Sequence, residues 1–146
     1  QAERMGLTLS MDCLQNLPKV NADPEQISQV FVNLIHNAIK FTTKGGRIHL
    51  DAQFDNNMVV FSVQDNGVGI AANELSRIFE RFYKADRART GGGTGLGLSI
   101  CKNIVQEHGG KIWAESQEAA GSTFYFSLPV AAKFKSRPEI NPGIAL

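Results

Sequence analysis

The chain has 146 residues, 42% of them hydrophobic and 20% charged, which fits one folded domain and excludes wholesale disorder. Fifteen Lys+Arg against fourteen Asp+Glu leave a formal charge of +1, which argues against a domain built to grip a nucleic-acid backbone. No apolar run approaches the ~20 residues of a membrane span. The opening residues do not read as a secretory leader, and the start at Gln1 rather than Met reads as a piece of something longer. Cys13 and Cys101 have no second Cys or His at metal-ligand spacing, so both read as reduced packing residues in a cytosolic protein.

In chain order, Leu7, Leu9 and Met11 alternate and suggest a first strand. A helix start follows, with Asp23 as cap, Pro24 at the first helical position and Gln26 completing a capping box. Ile27, Val30, Phe31, Leu34, Ile35, Ala38 and Ile39 hold helical spacing until Thr42 to Gly46 ends it. Residues 47–54 and 58–65 alternate on either side of Asp55-Asn-Asn and read as an antiparallel hairpin. Leu75, Ile78, Phe79 and Phe82 give helical spacing from Ala72 to Tyr83. Residues 84–97 have no periodicity and hold five glycines; such a stretch inside a domain is usually functional, often a lid. Leu98, Ile100, Cys101, Ile104 and Val105 mark another helix, stopped by Gly109-Gly110. Two closing strands follow, around Ile112 to Glu115 and Phe124 to Leu128, and the tail from Ala131 has no pattern and should be poorly ordered. Three helices among about five strands predict a two-layer α/β sandwich with a mixed sheet.

Three features suggest chemistry. On the first long helix, Asn33, Asn37, Lys40 and Gln26 form a polar stripe beside the apolar one. Carboxamide oxygens are hard ligands for Mg²⁺ and an ammonium suits phosphate, although a solvated helix face looks the same. Asp65 is in phase with Val59, Phe61 and Val63, so its carboxylate should point to the buried side, where it needs hydrogen bonds. Asn66-Gly67-Val68-Gly69 follows at once, and a buried acceptor beside glycines suits the exocyclic amine of a purine. A turn-capping Asp explains the sequence Asp-Asn-Gly but not the phase. Finally, Gly91-Gly-Gly-Thr-Gly-Leu-Gly97 runs into a helix start, where successive amides form an anion site. The preceding residues 77–89 carry five cations against two carboxylates. A Walker A motif is absent, because Gly97 is followed by Leu98. Gly67-Val-Gly-Ile-Ala-Ala72 matches a dinucleotide fingerprint, but its helix leads into the glycine run rather than into a parallel strand.

These motifs together resemble those of two-component sensor histidine kinases. Gln29 to Thr42 resembles their N box, Asp65-Asn-Gly-Val-Gly69 the first glycine box, Ile78 to Tyr83 the F box and Gly91 to Gly97 the second glycine box. His108-Gly-Gly-Lys-Ile-Trp and Gly121-Ser-Thr-Phe resemble the closing strands, so the likeness covers roughly residues 5–130 in order. It implies the catalytic, ATP-binding domain, with the Bergerat sandwich shared with gyrase, heat-shock chaperone and mismatch-repair ATPases. By that likeness Asp65 would hold the adenine amine, with Gly67 and Gly69 admitting the ring and Ile70 beside it. Asn37 would bind Mg²⁺, with Asn33 on the same face and Lys40 near the phosphates, the three forming the catalytic set. Phe41, Phe82, Lys84, Leu98 and Thr123 would border the nucleotide, and Gly93, Thr94, Gly95, Leu96 and Gly97 its phosphates. A lid would span about 84–95, with Phe79 and Phe82 packing its hinge and partner helices, in a domain of residues 1–130 followed by a tail, 131–146.

Hydrolysing members of the superfamily carry a Glu four residues before the Mg²⁺ ligand, and Asn33 occupies that position. A carboxamide cannot take a proton near neutral pH, so intrinsic ATP hydrolysis should be slow. None of the three histidines fits a phosphoacceptor. The resemblance therefore implies half of a histidine kinase, completed by upstream dimerisation and phosphotransfer helices and a response-regulator receiver domain. It also implies a cytoplasmic location, a monomer in isolation, no nucleic acid and no direct membrane contact. The alternatives are a nucleotide-binding regulatory module, or an ATPase of this fold without histidine phosphorylation.

Overall fold

A computed structural model describes residues 8–11, 17, 19–83 and 97–131. Five strands form one sheet: β1 (Thr8–Met11), β2 (Arg47–Asp55), β3 (Met58–Asp65), β4 (Ile112–Gln117) and β5 (Gly121–Pro129). Their order is β1-β2-β3-β5-β4. β1 runs parallel to β2 and every other pairing is antiparallel, so the sheet is mixed, as expected. Helices α1 (Pro24–Phe41), α2 (Ala72–Leu75) and α3 (Gly97–Glu107) complete the fold. The β2–β3 hairpin turns through Asn56 and Asn57, both left-handed at φ 51° and 62°. Asparagine tolerates that backbone better than other side chains, and a two-residue hairpin of this hand needs it twice.

The core lies between the helices and the sheet. α1 buries Val30, Leu34, Ala38 and Ile39, and α3 buries Cys101, Ile104 and Val105. Phe126 stacks on Phe61 at 4.9 Å between ring centres, and Phe31 meets both rings edge-on at 5.1 and 5.4 Å. Such pairs add to area burial. Cys101 is a free thiol that donates to the Val30 carbonyl at 3.8 Å. Burial pushes its pKa up to about 11, so it is a neutral packing group, as expected; Cys13 lies outside the described residues.

At the start of α1, Asp23 caps the amides of Glu25 and Gln26 as expected, at 3.0 and 3.4 Å. The reciprocal bond expected from Gln26 is supplied differently: the Asp23 N–H donates to His108 Nε2 at 3.1 Å. The other ring nitrogen, Nδ1, is 2.8 Å from the Ile104 carbonyl, which assigns it the proton. His108 thereby buckles the start of α1 to the end of α3.

The helix expected over 72–83 is shorter. Only Ala72–Leu75 is α-helical, and the chain continues through three-residue turns, with amide bonds from Arg77 to Glu74, Glu80 to Arg77 and Tyr83 to Glu80. Side chains hold these turns: the Tyr83 hydroxyl donates to Glu74 at 2.7 Å, and the Arg77 guanidinium lies 4.5 Å over the Tyr83 ring. A period of three keeps Ile78 buried and Phe79 against Phe124 at 6.2 Å, so the apolar spacing suits either geometry. Beyond β5 the chain stays packed through Ala131, expected as the start of a loose tail; Ala131 is buried and its N–H donates to the Lys19 carbonyl at 2.8 Å. The remainder of that tail and the lid residues lie outside the described segments.

Candidate functional site

Register places one row of side chains across the helix-facing side of the sheet. Ile48 pairs with Asp65, Asp65 with Ser122, and Ser122 with Ser116. Asp65 is 4% exposed, so the carboxylate does point inward, as its phase predicts. Its Oδ1 accepts the Gly67 N–H at 2.9 Å, and the Ser122 amide also bonds it. Burial nevertheless raises its pKa above the ordinary carboxylate value, outweighing the two amide bonds that lower it. Among the described residues no ion pair explains an acid placed there.

The loop after Asp65 is seated on both sides. Val68 donates to the Phe41 carbonyl at the end of α1 at 3.1 Å and accepts from the Ala119 amide at 2.7 Å. A Cβ on Gly67 would lie 2.1 Å from the Phe41 oxygen, and one on Gly69, at φ +75°, 2.2 Å from the Gln117 oxygen. Both glycines are thus required by the protein's own backbone. Ile70 is buried and its N–H donates to Ser116 Oγ at 2.7 Å.

Along α1, Asn33 and Asn37 are half-buried and Lys40 is exposed in the last turn. Spacings of four and three put them on one face. Asn33 Nδ2 makes a long bond, 3.5 Å, to the Gly97 carbonyl and also touches the Cys101 thiol. This face of α1 therefore runs from the opening of α3 to the Asp65 loop. Gly97 is exposed, and among the described residues a Cβ there would meet nothing within 4 Å; Leu98 packs against the core.

One expected site residue, Thr123, faces the other side of the sheet. Thr123 is in the opposite phase from the buried Phe124 and Phe126, and lines a shallow groove on the far face with Gln64 and Tyr125. It is Ser122, 6% exposed, that sits beside Asp65. That position was legible from the alternation, since Ser122 precedes Phe124 by two. Phe82 is 64% exposed and left-handed at φ 63°, with Arg81 5.4 Å over its ring. Lys84, Gly93, Thr94, Gly95 and Leu96 lie outside the described residues. Ser116 was not anticipated at all.

With this geometry in place, comparison with known proteins gives a consistent result. A family model described as histidine kinase-, DNA gyrase B- and HSP90-like ATPase matches residues 22–132. Sensor histidine kinase WalK of Bacillus subtilis is 42% identical over 127 residues, covering 82% of this chain and 21% of WalK. The solved catalytic domain of histidine kinase ThkA superposes with TM-score 0.78 at 33% identity, over 88% of this chain and 82% of that domain. ThkA also matches in complex with response regulator protein TrrA, with TM-score 0.73 at 32% identity over 90% of this chain and 36% of that one. Full-length ShkA in complex with AMPPNP gives TM-score 0.78 at 32% identity, over 89% of this chain and 27% of ShkA. The chain belongs to the histidine kinase-, DNA gyrase B- and HSP90-like ATPase family, and its fold is that of histidine kinase catalytic domains. It spans about a fifth of the length of the curated relative WalK, 21%. Among the described residues no helix is long and apolar enough to cross a membrane.

Proposed function

We propose that this chain binds Mg-ATP and presents its γ-phosphoryl group to a histidine on a separate dimerisation and phosphotransfer domain. The observation that carries the reading is the buried Asp65, held at the end of β3 against its desolvation cost by two backbone amides. A carboxylate kept at such a place is suited to accept from a purine amine. The AMPPNP complex of ShkA, a relative of the same fold, supports a nucleotide here.

The donor chemistry of α1 fits the rest of the nucleotide. Among the described residues no three His, Cys, Asp or Glu side chains gather as a metal cage. Mg²⁺ commonly needs only one or two protein oxygens, taking the rest from phosphates and water. Asn37 would supply such an oxygen, and the ion would offset phosphate charge. Lys40 would add a cation, and Gly97 and the glycines before it would offer amides to the phosphates. Asn33 cannot act as a base toward water, so the phosphoryl group would be reserved for the histidine. There a nitrogen–phosphorus bond forms as the bond to the ADP oxygen breaks, and positioning supplies most of the catalysis. The phosphoryl group would pass next to a response regulator, in line with the ThkA complex. A cytoplasmic site for these events, and a domain ending near residue 130, belong to the same proposal.

The test is calorimetric titration of ATP with and without Mg²⁺, followed by mixing the chain and labelled ATP with a separate histidine-bearing phosphotransfer domain. Acid-labile, alkali-stable label on that domain is expected. ATP binding with rapid phosphate release and no label would favour the hydrolysing alternative. Absence of ATP binding would overturn the reading.

A further inference from the structure

The purine end of the proposed site rests on a hydroxyl that is not expected to touch the nucleotide. Ser116 Oγ accepts the Ile70 N–H at 2.7 Å, lies 3.0 Å from the Gly121 carbonyl and 2.9 Å from Ser122 Oγ. A serine hydroxyl has one proton and two lone pairs. With one lone pair taken by Ile70, its proton goes either to Gly121 or to Ser122. If it goes to Gly121, the Ser122 proton points back at Ser116 and Ser122 shows its lone pairs to the Asp65 side. If it goes to Ser122, the Ser122 proton is released to donate toward a ligand. Ser116 therefore governs two things together: where the 66–70 loop sits, through Ile70, and which polarity Ser122 presents beside Asp65.

Gly121, at φ +94°, brings its strand so close that a Cβ would lie 2.1 Å from the Asp65 carbonyl oxygen. The loop meets the β4–β5 hairpin through Ile70–Ser116, Val68–Ala119 and the Gly69–Gln117 approach. Of these three, only the first runs through a side chain.

We infer that Ser116 is a positioning residue for base recognition, holding the Asp65 loop and orienting the Ser122 hydroxyl so that the pocket selects the purine rather than the phosphates. This rests on the reading of the Asp65 pocket as the purine site. The test is titration of ATP and of inorganic triphosphate, each with Mg²⁺, into the wild-type chain, Ser116→Ala and Ser116→Thr, alongside thermal melting. Ser116→Ala should weaken ATP about tenfold, the scale of one lost hydrogen bond to a buried polar group. Triphosphate affinity should stay within about twofold of wild type, and Ser116→Thr, which keeps the hydroxyl, should restore the ATP preference. Equal weakening of both ligands would make Ser116 merely structural and overturn the inference, as would unchanged ATP binding in a folded Ser116→Ala. A wild-type chain with no preference for ATP over triphosphate would instead overturn the purine pocket itself.

Discussion

Replacing Asp65 by Asn tests the site and its energetic cost in one variant. The amide is nearly isosteric and its oxygen can still accept the Gly67 N–H, now 2.9 Å from Oδ1. What is lost is the charge and one acceptor oxygen, replaced by an NH2 donor. A hydrogen bond to a charged acceptor contributes about 1.5–3 kcal/mol, so ATP should bind roughly ten- to a hundredfold more weakly. Stability should move the other way. Burial raises the Asp65 pKa, so the folded state holds a proton that the unfolded chain has already released. Between the two pKa values stability therefore falls as pH rises, and above both the folded protein carries the full desolvation cost. Asp65→Asn should then melt higher than wild type at neutral pH, and the gap should close as pH falls through the raised pKa. Calorimetric ATP titration and melting curves from pH 4 to 8 (roughly the range of carboxylate titration in proteins) measure both effects. Unchanged ATP affinity would make Asp65 a structural acid. A lower melting temperature at neutral pH would show that the Gly67 and Ser122 amides outweigh desolvation.

Four other substitutions separate site from scaffold. Gly69→Ala places a Cβ 2.2 Å from the Gln117 oxygen at φ +75°, whereas Gly45→Ala, at φ +87°, meets nothing within 4 Å. Both carry the left-handed cost of about 1–2 kcal/mol, so urea unfolding should show the larger loss at Gly69, and equal losses would refute the close approach. Phe126→Ala empties the place where Phe31 and Phe61 meet, and denaturation should report about 3–5 kcal/mol. Asn37→Ala should leave Mg²⁺-free ATP affinity almost intact while abolishing most of the gain on adding Mg²⁺; a full Mg²⁺ effect in the variant would move the metal ligand elsewhere.

What could be read from the chain was local or periodic. Helix α1, the β2–β3 hairpin and the inward Asp65 each follow from spacing within a few residues, and the structure has them. Contacts between distant segments were not legible. His108 supplies the bond expected from Gln26 across 85 residues, and Ser116 reaches Ile70 across 46; neither His nor Ser announces such a role in isolation. The 72–83 segment was misread for a different reason. Apolar residues three and four apart satisfy an α-helix and a run of three-residue turns alike, and the choice was made by Tyr83 bonding Glu74. Thr123 was misplaced by one residue, which in a strand is the difference between the two faces of the sheet.

That period of two also explains why this site can be both buried and open at one end. Asp65, Ser122 and Ser116 take inward positions that, one step further along β5, are filled by Phe124 and Phe126. The row is polar only where the sheet runs out from under α1, and the helix ends there, at Phe41, with its carbonyl on Val68. Because Val30, Leu34 and Ala38 are fixed in the core, α1 has no freedom to rotate. Asn33 and Asn37 are thereby held at one angle to the Asp65 loop, which is itself bonded to the end of the same helix through Val68 and Phe41. The scaffold thus sets the distance between the two ends of the proposed nucleotide site by hydrophobic packing together with the bond from Val68 to the Phe41 carbonyl. Each end can then be tested separately, the purine end through Asp65 and Ser116 and the phosphate end through Asn37.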